Sequence, residues 1–355
     1  MDEAILITGG CGFVGSNLAV KLKKDFPKTR VIAFDNLHRR GSELNLKRLA
    51  DVGVEFVHGD IRNKEDFEAL GDITVVIEAA AEPSVMSGIQ SSTDYVFNTN
   101  LFGTLNCLNF ARKQNSKFLF LSTSRVYPIS KLNRIRYAEN ATRFELLSEQ
   151  SEVGVSRDGI SEEFSLIGAR SFYGTSKLSS EFLIQEFTEF YGLPSIINRC
   201  GVITGPWQMG KVDQGFLVLW LAKHFWKKKL AYIGFGGLGK QVRDMIHIED
   251  LYSLVKIQLG DFGKYQSQTF NVGGGKDVSV SLLELTELCR KITGNVIDIE
   301  SVEVNRVGDI PIYISDCDKI SKLNQWHPTH SVGSILEDTF EWLLKNESIL
   351  KPILT

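Results

Sequence analysis

Tyr173 and Lys177 stand four residues apart in Tyr-Gly-Thr-Ser-Lys, which on a helix sets a phenol and an ammonium on one face, one turn apart. A free phenol titrates at about 10 and is no base near neutral pH. A lysine charge beside it favours the phenolate and brings it toward the working range. The same lysine can hold a ribose, and Thr123, at the end of an apolar run, offers a hydroxyl to orient the substrate oxygen that Tyr173 would deprotonate. Taken alone, such a pair is a solvated Tyr/Lys on a helix surface. Its weight comes from what precedes it in the chain.

Upstream, Ala4-Ile-Leu-Ile reads as a buried strand and 12–24 as a helix with apolar spacing through Phe13, Leu18 and Leu22. Between them Gly9, Gly12 and Gly15 recur every third residue. Glycines so placed permit a tight turn, close approach of a pyrophosphate to the backbone, and close helix–strand packing, while the helix N-terminus faces the phosphate. A second strand, Val31-Ile-Ala-Phe, ends in Asp35, roughly 20 residues past the loop, where a carboxylate accepts hydrogen bonds from an adenosine ribose. The acid favours NAD; Arg39 and Arg40 leave NADP open.

These residues need a scaffold, and the chain predicts one. Further strands are expected at 54–58, 74–77, 118–121 and 195–198, with helices over 93–114 and 172–191. That alternation implies a parallel sheet covered by helices on both faces. Asp35, Asp60, Ala80 and Thr123 all fall at strand ends, where ligands of such sheets lie. The polar segment 128–170 breaks the rhythm and reads either as a wall over the site or as a surface excursion. Past Gly205 the alternation loosens into helices over 211–229, 281–293 and 331–345 and strands near 230–234 and 269–272. The expected fold is therefore α/β: a doubly wound parallel sheet with a smaller C-terminal α/β substrate domain. The dinucleotide-binding domain is assigned to 1–200 and 243–275, and the substrate domain to 201–242 and 276–355.

Composition sets the bounds. A net charge of −3 with interleaved signs offers no basic surface for nucleic acid or an anionic membrane, and the apolar run 216–222 is far too short to span a bilayer. The first strand begins almost at once, which leaves no room for a signal peptide. Five scattered cysteines, odd in number and without metal-ligand spacing, suggest reduced thiols in a cytoplasmic protein and no metal site.

The order Gly9-x-x-Gly12-x-x-Gly15, Asp35, Gly59-Asp60-Ile61, Asn100-x-x-Gly103-Thr104, Thr123, Tyr173-x-x-x-Lys177 resembles the extended short-chain dehydrogenase/reductases, the nucleotide-sugar epimerases and dehydratases. The likeness continues through Arg243-Asp244-x-x-His247-x-x-Asp250, Phe270-Asn271-Val-Gly-Gly and Arg306-x-Gly308-Asp309. It implies a Rossmann sheet and an NAD site made by Gly9, Gly12, Phe13, Val14, Gly15, Asp35, Asn36, Arg40, Asp60, Ile61, Ala79, Ala80, Ala81, Asn100, Ser122, Tyr173, Lys177 and Cys200. It implies Thr123, Tyr173 and Lys177 as catalytic residues. For the nucleotide-sugar it implies Ser124, Arg125, Gln214, Gln241, Arg243, Arg306 and Asp309, guanidinium forks being suited to phosphate oxygens. A homodimer or homotetramer paired through helices 93–114 and 172–191 is also implied.

Departures narrow the activity. The 4,6-dehydratases of this family follow the threonine with Asp-Glu, the acid and base that expel water; here Ser124-Arg125 follows. The segments Val212-Asp213-Gln214-Gly215 and Gly239-Lys240-Gln241-Val242-Arg243-Asp244 are most similar to the CDP-paratose (CDP-tyvelose) 2-epimerases, as is Thr123-Ser-Arg-Val-Tyr127. Pro128 stands where glycine is usual, Val202 where many relatives place a polar diphosphate ligand, and Glu78 where histidine is common before the alanines. The expected reaction is inversion of C2 of a CDP-hexose by transient oxidation. A 4-epimerase or 4-reductase of a UDP- or dTDP-hexose, and a non-catalytic dinucleotide-binding regulator, are the alternatives.

Overall fold

A computed structural model describes residues 4–89, 91–210 and 214–354. Its centre is a seven-stranded sheet. In chain order the strands are β1 (Ala4–Thr8), β2 (Arg30–Asp35), β3 (Glu55–His58), β4 (Val75–Glu78), β5 (Lys117–Thr123), β6 (Ser195–Cys200) and β7 (Gln268–Val272), and across the sheet they run β7-β6-β5-β4-β1-β2-β3. The pairs β1–β2, β1–β4, β2–β3 and β4–β5 are parallel, so the order reverses beside β1. This is the doubly wound arrangement, whose ligands lie off the carboxyl ends of the strands at the reversal. Runs such as Ala-Ile-Leu-Ile-Thr and Val-Val-Ile-Glu are buried at every position, as strands covered on both faces must be.

Three helices complete the site's frame. Helix α1 (Phe13–Asp25) buries Leu18, Ala19 and Leu22, while α2 (Gly103–Gln114) and α3 (Phe172–Tyr191) cover one sheet face. On that face Leu6, Ile32, Phe34, Val76, Phe118 and Phe120 share a core with Cys107, Leu108 and Ala111 of α2 and Ile184 and Phe187 of α3.

The helix expected over 93–114 is interrupted. Asp94–Phe97 passes into a π-helical turn, Asn98–Phe102, before α2 begins. Such a turn widens the ladder and releases carbonyls. The Asn100 carbonyl takes bonds from the Thr104 hydroxyl at 2.6 Å and the Ser180 hydroxyl at 2.8 Å.

The chain divides into two compact units of similar length, where a smaller second one was expected: Met1–Val126, Phe172–Arg199 and Tyr252–Thr269 form the first, and Tyr127–Ser171, Cys200–Leu251 and Phe270–Thr355 the second. Residues 127–171, Cys200, 243–251 and 270–275, expected with the dinucleotide-binding domain, group with the second unit. That unit holds a sheet in the order Val202–Thr204, Val242–His247, Ser279–Ser281, with Ile312–Tyr313 also on the central strand. Leu230–Ile233 pairs separately with Ile299–Val302.

Within 127–171, two short hairpins (Tyr137–Glu139 with Phe144–Leu146, Val155–Ser156 with Gly159–Ile160) bury Phe144, Leu146, Ile160 and Phe164. The Phe144 N–H donates to Lys240 O, and Asn271 bridges Tyr127 to Ile160 through its side chain. The segment is thus part of the second unit's core. The C-terminal helices begin where expected because their caps are in the sequence: Ser281 caps Leu282–Thr293 in a reciprocal box with Glu284, and Ser331 caps Val332–Lys345. The helix expected over 211–229 is observed as Phe216–Phe225; residues 211–213 lie outside the described residues.

Candidate active site

The glycine loop is built for close approach. Gly9 has φ +63°, and a Cβ on it would lie 2.8 Å from Ala80 Cα; a Cβ on Gly15 would lie 2.2 Å from Gly9 O. Both positions exclude a side chain, one against the strand β4 exit and one against the loop itself. The loop leads into Gly12, the cap of α1, which has no side-chain cap, so the first N–H groups of α1 are left suited to an anion. Phe13 O accepts from the Asn17 amide at 2.8 Å, and the Ala79 N–H donates to Thr8 O at 3.2 Å. Ala79, Ala80 and Ala81 are half-buried beside this turn, as are Phe13 and Val14.

At the end of β2, Asp35 accepts from the Cys11 N–H at 3.0 Å and the Leu37 N–H at 2.7 Å. Burial raises its pKa against those backbone donors, which hold the carboxylate in place at the strand end. Leu37, at φ 55°, supplies the tight wrap that returns its N–H to Asp35. Asp60 holds the Asn36 amide at 2.8 Å and the Arg62 guanidinium at 2.6 Å. Burial opposes its ionisation, but the Arg62 bonds outweigh it and pull the pKa down to about 2. Ile61 is buried and Arg40 exposed. The glycine cradle, the helix end without a side-chain cap and the Asp35 carboxylate fit a dinucleotide.

Thr123 closes β5, with its hydroxyl accepting from the Arg125 N–H at 3.2 Å; Ser124 and Arg125 follow in a 3-10 turn, both half-buried. Tyr173 is the second residue of α3 and half-buried, whereas Lys177, one turn on, is buried with Nζ 3.7 Å from the centroid of the Phe120 ring. The start of α3 is anchored by the π-helical turn. The Asn100 amide donates to Ser176 Oγ at 3.0 Å, and the Ser176 hydroxyl donates to Tyr173 O at 2.8 Å. Asn100, expected at the cofactor, instead has its side chain taken up within the protein: Oδ1 accepts from the Glu82 N–H at 2.8 Å and the amide also donates to Glu82 O at 3.0 Å, so it acts on the helix that carries Tyr173.

Some side chains turn elsewhere. The Ser122 hydroxyl, expected toward the cofactor, donates to Glu181 Oε1 at 2.5 Å, and Glu181 is bound by Arg199 at 2.7 Å, both residues buried. Cys200, at the end of β6, is buried with a free thiol. Glu78 ends β4 wholly buried; burial raises its pKa to about 7, although the Lys177 charge and the Thr104 hydroxyl at 2.6 Å favour its ionised form. Sequence reading marked Glu78 only as a departure and missed Glu181 and Arg199, whose pairing needs α3 and β6 side by side.

In the second unit, the Arg243 guanidinium donates to Asp309 Oδ1 at 3.3 Å and Ile310 O at 2.8 Å, so two expected substrate residues meet in an ion pair that fixes the fork. Arg306 is half-buried, and its carbonyl accepts from the Asp309 N–H. Gln241 donates to Ile233 O, and its Oε1 has no hydrogen-bond partner among the described residues. Gln214 is half-buried just before the Phe216–Phe225 helix.

His247, His330 and Asp338 bring ligand-type atoms within 4.8 Å of one another. The Glu249 N–H donates to His247 Nδ1 at 3.3 Å, and burial, then His330, lowers the His247 pKa to about 4. Its Nε2 lies 3.9 Å from Asp338 and has no hydrogen-bond partner among the described residues. Among the described residues no helix is long and apolar enough to cross a membrane.

The model of the NAD dependent epimerase/dehydratase family matches residues 5–273. Over 349 residues the chain is 32% identical to the CDP-paratose 2-epimerase of Salmonella typhi, covering 95% of this chain and 98% of that one. Among solved structures, the UDP-glucuronic acid 4-epimerase of Bacillus cereus, in complex with UDP-glucuronic acid and NAD, aligns with a TM-score of 0.79 at 25% identity, over 96% of this chain and 99% of that one. The dTDP-glucose 4,6-dehydratase of Bacillus anthracis, in complex with NAD, aligns with a TM-score of 0.77 at 27% identity over 99% of each chain.

Proposed function

Because the chain belongs to the NAD dependent epimerase/dehydratase family, and is thus an NAD-dependent enzyme, we propose that it inverts C2 of CDP-paratose to give CDP-tyvelose. The observation that carries this reading is the turn after Thr123, where Ser124-Arg125 leaves no carboxylate to expel water. Epimerisation needs no such acid pair. The 32% identity to a CDP-paratose 2-epimerase over nearly the whole chain supports the choice of carbon and base.

In the proposed mechanism Tyr173 removes the proton of the sugar hydroxyl, with its phenolate favoured by Lys177. Thr123 donates a hydrogen bond to the same oxygen and fixes its angle. Bound NAD supplies the acceptor and donor for the carbon-bound hydrogen. Tyr173, now protonated, gives its proton back to the oxygen once the ring has presented its other face. Arg243, oriented by Asp309, and Arg306 hold the diphosphate, while Ser124, Arg125, Gln214 and Gln241 contact the remaining substrate groups. The hexose must therefore place C2 beside Tyr173.

CDP-paratose carrying deuterium at C2 tests this directly. NMR is expected to show CDP-tyvelose with the label still on C2, since the same hydrogen leaves and returns. Washout of the label into solvent would mean proton abstraction at carbon and a different mechanism. Inversion of a UDP-hexose at C4, with CDP-paratose inert, would move the assignment to a 4-epimerase, a second reading supported by the likeness to UDP-glucuronic acid 4-epimerase.

We further propose a cytoplasmic homodimer or homotetramer. Phe102 of the π-helical turn is 54% exposed, and Phe182, Phe190 and Tyr191 of α3 are 51%, 73% and 56% exposed, a concentration of large apolar side chains that association would cover. Light scattering at micromolar concentration is expected to give at least twice the 39.8 kDa chain mass; a monomer mass would remove this proposal.

A further inference from the structure

Glu78 is a buried acid that the mechanism above does not use, in a position where the resemblance leads one to expect histidine. Its side chain shares a sheet face with Phe120. The β4–β5 register pairs the two residues, and laterally paired residues of neighbouring strands project the same way. On that face the Lys177 ammonium rests over the Phe120 ring at 3.7 Å.

The Thr104 hydroxyl lies 2.6 Å from Glu78 Oε1 and 2.6 Å from Asn100 O. A hydroxyl has one hydrogen, and a carbonyl can only accept. When Thr104 donates to Asn100 O, the short contact to Glu78 requires the proton to sit on the carboxyl; when Thr104 turns to Glu78, the carboxylate can be ionised. The site accommodates both states, and Glu78 Oε2 has no hydrogen-bond partner among the described residues.

We propose that Glu78 is a positioning residue for the Tyr173–Lys177 pair: gain or loss of its carboxyl proton sets how much of the Lys177 charge is felt by the Tyr173 phenol. With Glu78 neutral, its carboxyl no longer offsets the Lys177 charge, which favours the phenolate one helical turn away. With Glu78 ionised, the two charges offset one another, and the phenol holds its proton to higher pH. Burial raises the Glu78 pKa, which puts the change near neutrality.

Among the described residues, Lys177 is the charged group that acts on Glu78. Thr8, its register partner on β1, Phe120 on β5 and Thr104 on α2 are uncharged. Cys107 of α2 is held as a thiol, its pKa raised by burial and then by Glu78. Glu181, one turn beyond Lys177, is taken up by Arg199 and Ser122.

The inference rests on Tyr173 being the base, and the experiment separates the two ideas. The NAD-bound protein is labelled with 13C at tyrosine Cζ and glutamate Cδ and titrated by NMR, with Tyr173→Phe and Glu78→Gln providing the assignments. In the wild type the Tyr173 signal is expected to move in two steps, the first coincident with titration of the Glu78 carboxyl. In Glu78→Gln, which keeps shape and hydrogen bonding, the first step vanishes and the phenol titrates about one unit lower, tenfold more phenolate at a given pH. A depressed Tyr173 pKa identical in both proteins, with no step at the Glu78 titration, overturns the role of Glu78 and leaves Tyr173 as base. A Tyr173 that titrates near 10 in both overturns the base assignment as well. Should Glu78→Gln fail to fold, the presence or absence of the coincident step in the wild type decides the question.

Discussion

Replacing Tyr173 with phenylalanine is expected to lower kcat by roughly 10²–10⁴-fold, the range that a positioned general base contributes, with KM and NAD content nearly unchanged. The substitution removes one oxygen from a half-buried side chain near the start of α3 and leaves the backbone carbonyl that Ser176 holds. The helix should stay anchored to Asn100, so thermal unfolding should hardly move. Steady-state kinetics on CDP-paratose, with bound NAD released and quantified by absorbance, measure both quantities. Turnover within threefold of wild type would take Tyr173 out of the mechanism; loss of bound NAD would make it a cofactor residue only.

The second large effect is on stability. Glu181→Leu should cost about 3–5 kcal/mol, because it removes the carboxylate that the buried Arg199 charge is paired with. Arg199 lies 5% exposed, and both its Nε and Nη2 donate to the Glu181 carboxylate, which also accepts from Ser122. The double variant Glu181→Leu/Arg199→Met should recover most of that loss, since removing both charges removes the desolvation problem along with the attraction. Urea denaturation of the four proteins in a cycle gives the coupling. Additive losses would mean that water reaches the pair and screens it.

The parts of the site that could be read from sequence are local in the chain. The glycine loop, Asp35 and the Tyr173–Lys177 pair each declare themselves within one strand–turn–helix unit or one helical turn, where residue type and spacing fix geometry. The strands β1, β2, β4 and β5 were legible for the same reason: both faces are covered, so each carries a short unbroken apolar run. The break at Asn98–Phe102 was not. Apolar spacing continues across it, and the carbonyl it releases finds Thr104 and Ser180, the second of them on a helix far along the chain. Residues 127–171 were equally opaque. Their partners are Lys240, Asn271 and the strand near Ser315, and no period in the segment itself encodes those contacts.

The strand order also matters while the chain is being made. β6 cannot receive its outer neighbour until residues 268–272 have been synthesised, a wait of several seconds at roughly 5–20 residues per second. An unpaired edge in a nascent protein invites pairing with other chains. β6, Ser-Ile-Ile-Asn-Arg-Cys, spends that interval carrying Asn198 and Arg199. Asn198 later exchanges two hydrogen bonds with Gln258, at 2.8 and 3.0 Å, and Arg199 is held by Glu181, which has already been made. Polar groups that the finished core must satisfy thus sit on the strand while its edge is open, a placement that disfavours edge-to-edge pairing. An apolar strand at the same place would be more prone to aggregate before its neighbour arrived.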